Sequence, residues 1–146
     1  MMRALLQRVS RGKVSVGGKS IAESGHGFVI LLGVGEGDGE AEINFLVKKI
    51  AQLRVFEDEQ GKMNLSLLDV GGEAIVVSQF TLYADTRKGR RPSFVHAAPP
   101  KIAEPLVEQF VDALIAEGVR TQSGAFGANM LVEIDNDGPV TIWLEK

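Results

Sequence analysis

Residues 73–94 of the chain read EAIVVSQFTLYADTRKGRRPSF. The apolar, β-branched first part predicts a buried strand over residues 73–79. Ser78, Gln79, Thr81 and Tyr83 then place hydroxyl and amide groups where the strand ends, and together with free backbone N–H groups they can stabilise a developing negative charge. The densest basic run of an acidic chain follows at 87–91, and a basic loop can hold a phosphodiester backbone. The combination suggests chemistry on the end of a nucleic acid.

Each part of this stretch also has an ordinary structural explanation. A strand that ends in Ser-Gln needs no function, and a basic loop is often only a solvated loop. Phe80, Tyr83 and Phe94 are aromatic residues of the kind that commonly fill a core. The stretch becomes informative only together with the rest of the chain.

The composition limits the possible protein classes. The chain has 146 residues, of which 45% are hydrophobic, and this predicts one compact domain over residues 1–146. No apolar run approaches the ~20 residues that span a bilayer, and the absence of cysteine excludes disulfides and thiolate chemistry. The net charge of −3 argues against a uniformly basic, duplex-coating surface but permits a local basic patch. We therefore expect a soluble cytoplasmic protein without membrane contact.

Upstream of the opening stretch, the pattern is mainly that of strands. Residues 3–10 and 13–16 predict two strands, the glycines at 17 and 18 predict a turn, and residues 19–23 predict a returning strand. The apolar run 27–34 predicts a strand buried on both faces. The glycine-rich segment 33–39 lacks the spacing of a nucleotide-binding loop and predicts a turn, with Asp38 as the N-cap of the following helix.

Two helices and further strands complete the pattern. Helical spacing of apolar residues predicts α-helices over about 40–53 and from about residue 102 to Gly118, with Pro105 in the first turn of the second. Short strands are expected at 54–56, 130–134 and 140–144, the last two joined by a turn over 136–139. The order of elements predicts one α/β domain with a mixed sheet.

Conventional catalytic groups are scarce. Only two histidines occur, His26 and His96, and neither lies in a metal-binding spacing or beside a G-x-S-x-G motif. No carboxylate stands out as a general base, so we expect neither a metal nor a cofactor. Catalysis by such a chain would depend on positioning and oriented dipoles, with a reactive group supplied by the substrate.

Four motifs together resemble one known family. They are GKMNLSLLDVGGE at 61–73, SQFTL at 78–82, FGANM at 126–130 and NDGPVT at 136–141. With them, nearly the whole chain resembles the D-aminoacyl-tRNA deacylases. The resemblance implies a mixed, mostly antiparallel sheet with a barrel-like core and two main helices.

The resemblance also implies an activity. It implies a homodimer that hydrolyses the ester between a D-amino acid and the terminal ribose of tRNA. Such an enzyme would also act on mischarged glycyl-tRNA and spare L-aminoacyl-tRNA. The active site would lie at the subunit interface, and the partner would be aminoacyl-tRNA. Because one enzyme must serve many tRNAs, we expect phosphate contacts rather than base contacts from Arg87, Lys88, Arg90 and Arg91.

The resemblance assigns roles to further residues. The site floor would be formed by Ser78, Gln79, Phe80, Thr81 and Leu82. A cis Gly138–Pro139 unit, steadied by Arg8, would enter the partner's site and select chirality, while Phe126 and Met130 would line the pocket.

The mechanism that fits these residues uses the RNA itself. The ribose 2′-hydroxyl beside the ester would assist hydrolysis while backbone N–H groups around Phe80 stabilise the oxyanion. We rank this above a covalent intermediate on Thr81, whose hydroxyl has no evident base. The main alternative is a nucleic-acid-binding module without catalysis that uses the 87–91 loop. A small-molecule hydrolase ranks lower because a triad and a metal motif are missing.

Overall fold

The computed structural model describes all residues 1–146, and six of its strands form one sheet. Along the chain, the elements are β1 (Arg3–Val16), β2 (Lys19–Ser24), β3 (Gly27–Gly33), α1 (Glu40–Gln52), β4 (Phe56–Glu57), β5 (Met63–Leu65), β6 (Glu73–Ser78), a 3₁₀-helix (Phe80–Tyr83), α2 (Pro100–Ala116), β7 (Arg120–Ser123) and β8 (Leu131–Glu145). Neither helix is both long and apolar enough to cross a membrane.

The sheet is mixed and nearly closed. Its strand order is β2-β1-β3-β6-β7, and β8 lies on the other side of β1. β1 runs antiparallel to β2, β3 and β8, whereas β3–β6 and β6–β7 are parallel. The side chain of Gln122 on β7 closes the gap to β2, since its amide accepts from the backbone N–H of Glu23 (3.2 Å) and donates to the Glu23 carbonyl (2.7 Å). The predicted fold class, an α/β domain with a mostly antiparallel, barrel-like sheet and two helices, is confirmed.

The two strands predicted at the N-terminus are one long strand. β1 pairs with β3 along its first half and with β2 along its second half. Gly12 lies at the change of partner, where a Cβ would be 2.7 Å from Cγ2 of Val29. The glycine therefore permits a close crossing that lets the strand continue. The Gly17–Gly18 turn has positive φ at both residues, as a tight hairpin turn requires.

The main core lies between one face of the sheet and both helices. α1 buries Ile43, Leu46, Val47 and Ile50, as its spacing predicts. Its N-cap is Gly39 rather than Asp38, because the Asp38 carboxylate instead accepts the backbone N–H of Gly35 at 2.6 Å.

The second helix is rotated relative to its predicted stripe. α2 buries Ala103, Val107, Phe110 and Leu114, while Ile102 is exposed. Pro105 lies inside α2, beyond its first turn.

The opposite face of the sheet carries a smaller apolar cluster. Its buried members are Val14, Ala22, Ile75 and Val77, and Leu31, Met130 and Val132 pack around them. No helix covers this face, and the end of β6 opens onto it. The two C-terminal strands predicted at 130–134 and 140–144 form the single strand β8, so residues 136–139 are part of a strand rather than a free turn.

Candidate active site

The chain turns sharply where β6 ends at Ser78. Gln79 still donates its backbone N–H to Leu32 on β3 (2.8 Å), and the 3₁₀-helix begins at Phe80. Tyr83 fixes the far end of this helix, because its hydroxyl lies within hydrogen-bonding distance of the backbone oxygens of Gly33 (3.0 Å) and Met1. Burial raises the pKa of the Tyr83 phenol, which therefore stays protonated and neutral.

A pocket lies beside this turn, on the sheet face that the helices leave open. Met130 and Val132 supply apolar walls, and Phe80 is 55% exposed with its ring edge-on to Phe94 at 5.0 Å. The pocket is lined by Val77, Ser78, Gln79, Phe80, Pro100, Phe126, Gly127, Ala128, Met130 and Val132. The structure thus brings together five of the residues that the sequence singled out.

No ionisable side chain lines this pocket. Thr81, which the sequence also placed in the site floor, is not among the lining residues, and its hydroxyl accepts a hydrogen bond from the Gln79 amide. The pocket can thus offer the Ser78 hydroxyl, the Gln79 amide and backbone dipoles, but no general base of its own.

The Gly138–Pro139 unit lies in a bulge of β8. Asn136 pairs with Val9 of β1 and Thr141 pairs with Gln7, so the residues between them loop out opposite one residue of β1. The Asn136 side chain closes this bulge by accepting the backbone N–H of Val140 at 2.8 Å. The Gly138–Pro139 peptide bond is cis, and both residues are exposed.

Arg8 holds the bulge from behind. Its side chain is buried, and it donates through Nε to the carbonyl of Asp137 (3.0 Å) and through one terminal nitrogen to the carbonyl of Val55 (2.7 Å). The carboxylates of Glu57 and Asp137 lie at 3.7 and 3.8 Å and compensate its charge. A buried guanidinium with these partners fixes the bulge relative to β4.

Within one chain, the bulge and the pocket are separate. Neither Gly138 nor Pro139 lines the pocket, and Gly138 lies six residues further along β8 than Val132, which does; six residues of extended strand span up to roughly 20 Å. The structure therefore does not bring Gly138, Pro139 or Arg8 to the pocket of the same subunit.

The basic loop divides into an anchored base and a free tip. Asp85 and Ser93 exchange backbone hydrogen bonds of 2.8 and 3.0 Å, and Arg87 donates two side-chain hydrogen bonds to the Asp85 carboxylate (2.9 and 2.7 Å). The hydrogen bonds from Arg87 lower the pKa of the Asp85 carboxyl to about 2. The other three cations of the loop, Lys88, Arg90 and Arg91, form no salt bridge with a carboxylate. Arg87 thus differs from the other three, which the sequence alone did not indicate.

A second groove, which the sequence reasoning missed, adjoins the pocket at Ser78 and Phe126. It lies between α2 and β7, and its α2 wall carries Glu104, Glu108 and Asp112. Their spacing of four residues places them on one helix face and was the available signal. This acidic wall disfavours a phosphate on that side of the pocket, so a nucleic acid would approach from the side of the basic loop.

A family model described as D-Tyr-tRNA(Tyr) deacylase matches residues 5–145 of the chain. The chain belongs to this deacylase family. A D-aminoacyl-tRNA deacylase of Thermomicrobium roseum is 60% identical over 99% of the chain and 94% of the relative, and that of Heliobacterium modesticaldum is 59% identical over 99% and 96%. Membership makes the chain an enzyme, a hydrolase of the D-aminoacyl-tRNA deacylase class that edits tRNA, and it confirms the predicted family and activity.

Solved structures give the same fold. The c-Myc DNA unwinding element binding protein matches with a TM-score of 0.92 and 44% identity over 99% of this chain and 98% of that chain. A probable eukaryotic D-amino acid tRNA deacylase matches with a TM-score of 0.85 at 17% identity over 99% of both, and this shows the shared fold alone.

Proposed function

We propose that this enzyme binds the aminoacylated 3′ end of tRNA in the pocket at the end of β6 and hydrolyses the ester of D-amino acids and of glycine, sparing L-amino acids. The observation that carries the proposal is a pocket rich in backbone and amide groups but without any ionisable lining residue, in a member of a deacylase family. Such an enzyme would act in the cytoplasm, where aminoacyl-tRNA is made and used.

Hydrolysis in this pocket requires little chemistry from side chains. The ribose 2′-hydroxyl lies next to the 3′ ester and can assist the attacking water, while backbone N–H groups at Phe80 stabilise the oxyanion. Ser78 and Gln79 position the terminal nucleoside, and Phe126 and Met130 provide the walls against which its base packs.

The complete site would need two subunits. The exposed Gly138–Pro139 bulge does not line the pocket of its own chain, so a homodimer that inserts it into the partner's pocket would unite the two parts. The rigid backbone would then occupy the space that the side chain of an L-amino acid needs. Selection by exclusion explains why glycine, which has no side chain, would still be accepted.

The tip of the basic loop would hold the tRNA backbone. Lys88, Arg90 and Arg91 are exposed and free of carboxylate partners, which suits contacts to phosphates. Arg87 would act mainly by holding the base of the loop through Asp85.

The deciding experiment measures release of amino acid from matched D- and L-aminoacyl-tRNA. We expect rapid release of the D-amino acid and of glycine and negligible release of the L-amino acid. A tRNA ending in 2′-deoxyribose, with the D-amino acid on its 3′-hydroxyl, should be cleaved far more slowly. Full activity on the deoxy substrate would refute assistance by the RNA hydroxyl.

The shared site can be tested by mixing two inactive variants. Ala128→Trp should fill the pocket, and Gly138→Ala should disable the bulge. Heterodimers of the two variants contain one site in which both parts are wild type, so co-expression should restore activity up to half of the wild-type level. If heterodimers form and remain inactive, the two parts do not meet across an interface.

A second candidate function is nucleic-acid binding without catalysis. It is favoured by the free basic tip and by the 44% identity to a protein named for binding a DNA unwinding element. Binding of single-stranded DNA with an affinity equal to that for tRNA, together with no release of D-amino acid, would support this alternative.

A further inference from the structure

A second basic surface lies on α1, away from the loop at 87–91. It is a shallow groove lined by Phe45, Lys48, Lys49, Gln52, Leu53 and Arg54, which we call the α1 groove. Three of its six lining residues are cations, and none carries a carboxylate. Such a charge excess is notable in a chain with a net charge of −3.

The cations of the α1 groove form no salt bridge within the protein. Neither Lys48 nor Lys49 takes part in an ion pair of the chain. Residues four positions apart are neighbours on a helix, but the residues four positions before these lysines are Asn44 and Phe45, which carry no carboxylate. Arg54 donates its side-chain hydrogen bonds to Asn64, an uncharged residue. The charges of Lys48 and Lys49 therefore remain available to a ligand, whereas that of Arg54 also acts on the nearby Asp69 carboxylate and helps to lower its pKa.

An exposed aromatic ring lies among these cations. Phe45 is 43% exposed, and its ring centroid is 5.7 Å from Nζ of Lys49 and 4.8 Å from Nζ of Lys146. Cations near the C-terminal end of a helix are favoured by the helix dipole, but the dipole does not account for an exposed ring beside them. Contact with this ring holds Lys49 and Lys146 side by side at the surface, where their charges can meet a nucleic-acid backbone.

The α1 groove is connected to the substrate side of the molecule. Lys146, whose side chain contacts Phe45, exchanges backbone hydrogen bonds with Met2 (2.9 and 3.0 Å). Arg3, which follows Met2 in the chain, lines a cleft together with Arg87 of the basic loop. Cationic side chains thus lead from the basic loop around the strand ends to α1. Carboxylates also lie along this path, namely Asp85 beside Arg87, Glu145 beside Arg3 and Glu42 near Lys146, but all three lie outside the α1 groove.

We propose that the α1 groove binds the phosphodiester backbone of the double-stranded acceptor arm of tRNA, while the pocket and basic loop hold the single-stranded 3′ end. This inference rests on the proposed function and adds a contact to the body of the RNA. A-form RNA is recognised mainly through its phosphates and 2′-hydroxyls, which lysines and an arginine on a shallow surface can reach without reading sequence.

The test compares two substrates that differ only in the RNA body. One is full-length D-aminoacyl-tRNA, and the other is the D-aminoacylated tetranucleotide ACCA. For Lys48→Glu/Lys49→Glu, we expect KM for the tRNA to rise about tenfold, with kcat and the tetranucleotide kinetics unchanged. The slope of log binding constant against log salt for tRNA should fall by about 2. Phe45→Ala should raise KM for the tRNA alone by a smaller factor.

A matched control carries the same charge change elsewhere. Lys13→Glu/Lys19→Glu places it on the β1–β2 hairpin and should leave KM for both substrates unchanged, and thermal melting should show all variants folded. Unchanged KM for tRNA in the α1 variant, or an equal rise for both substrates, would overturn the inference. If the wild-type enzyme cleaves neither substrate, the proposed function fails instead, so the two failures are distinguishable.

Discussion

The pocket at the end of β6 and the bulge in β8 are built in opposite ways. The pocket is concave, and its walls come from β6, the 3₁₀-helix, the start of α2, the 126–130 segment and β8, all of one chain. The bulge is convex and is held only from behind, by Arg8 and Asn136, so its outer surface meets nothing in its own chain.

This difference shows how the two tasks of such an enzyme can be divided. A pocket formed by a hydroxyl, an amide, backbone groups and apolar walls can bind a terminal nucleoside. A rigid backbone projection can add selection, because it can exclude the side chain of one mirror image. Joining them across a dimer would give a site that neither part provides alone.

The largest effect should come from Gly138→Ala. A Cβ at this position would lie 2.8 Å from Cγ2 of Val140 and 3.3 Å from a guanidinium nitrogen of Arg8, and Gly138 has a φ of +139° that other residues rarely adopt. We expect kcat/KM for D-aminoacyl-tRNA to fall by roughly 100-fold, since displacement of a positioning group by about 1 Å has this effect.

Gly61→Ala is the matched control for this variant. Gly61 also has a positive φ (+74°), but a Cβ there would meet nothing within 4 Å and the residue lies away from both regions. Its activity should remain close to that of the wild type. If the Gly138 variant keeps full activity and full discrimination, the bulge has no part in the site.

The second effect concerns the support of the bulge. Arg8→Lys keeps the charge but cannot donate to Asp137 and Val55 at once with the same geometry. We expect kcat/KM to fall about tenfold and the free energy of unfolding to fall by about 1–3 kcal/mol, because a buried carbonyl loses its donor. Deacylation assays and urea unfolding measure both quantities.

Arg11→Lys is the corresponding change at an exposed ion pair with Glu23. It should change neither quantity measurably, as surface pairs contribute little. Equal effects of the two substitutions would show that Arg8 has no special role.

The two regions also differ in how well the sequence predicted them. The apolar run of β6 and the polar residues after it are contiguous, so the local pattern pointed to the end of this strand, and three of the five residues that the resemblance gave for the floor, Ser78, Gln79 and Phe80, line the pocket. The bulge interrupts a strand, and a local pattern containing Gly138–Pro139 looks like a turn between two strands. Only the pairing of β1 with residues on both sides of the bulge shows that β8 is continuous.

Other differences have the same physical origin. β7 was not predicted because its sequence, RTQS, has no apolar alternation, and its place depends on parallel pairing with β6 and on the contacts of Gln122. The separate role of Arg87 depends on Asp85 being held by Ser93, which a count of basic residues does not reveal. Long-range pairing therefore decided what the local pattern left open.

A smaller effect is expected at Tyr83, which anchors the 3₁₀-helix beside the pocket. Burial raises the pKa of its phenol in the folded state. In the unfolded chain tyrosine titrates near pH 10, so the phenol loses its proton at a lower pH in the unfolded state than in the folded state. The stabilisation is complete below about pH 10 and declines above it, with alkaline unfolding as the result. Since Tyr83 is the only tyrosine, absorbance at about 295 nm reports its ionisation directly.

Ionisation and unfolding should therefore coincide. Fluorescence of Trp143, the only tryptophan, follows unfolding in the same samples, and the denatured chain should titrate near pH 10. If the tyrosine ionised near pH 10 while the protein stayed folded, the phenol would not be buried against the carbonyls of Gly33 and Met1. Tyr83 would then not anchor the 3₁₀-helix.

The smallest effect is expected for Thr81→Ala, and it separates the two mechanisms. Thr81 is the nucleophile of the competing covalent mechanism, but its hydroxyl accepts a hydrogen bond from Gln79, and no carboxylate or imidazole lines the adjacent pocket to take a proton from it or from the Ser78 hydroxyl. We therefore expect kcat/KM to change by no more than about threefold, whereas loss of an activated nucleophile lowers rates by several powers of ten. Thr81→Ser serves as the matched control, because it keeps the hydroxyl. A loss of about 1,000-fold in the alanine variant with activity kept in the serine variant, or an aminoacyl ester trapped on Thr81, would assign catalysis to the protein and leave the RNA hydroxyl without a role.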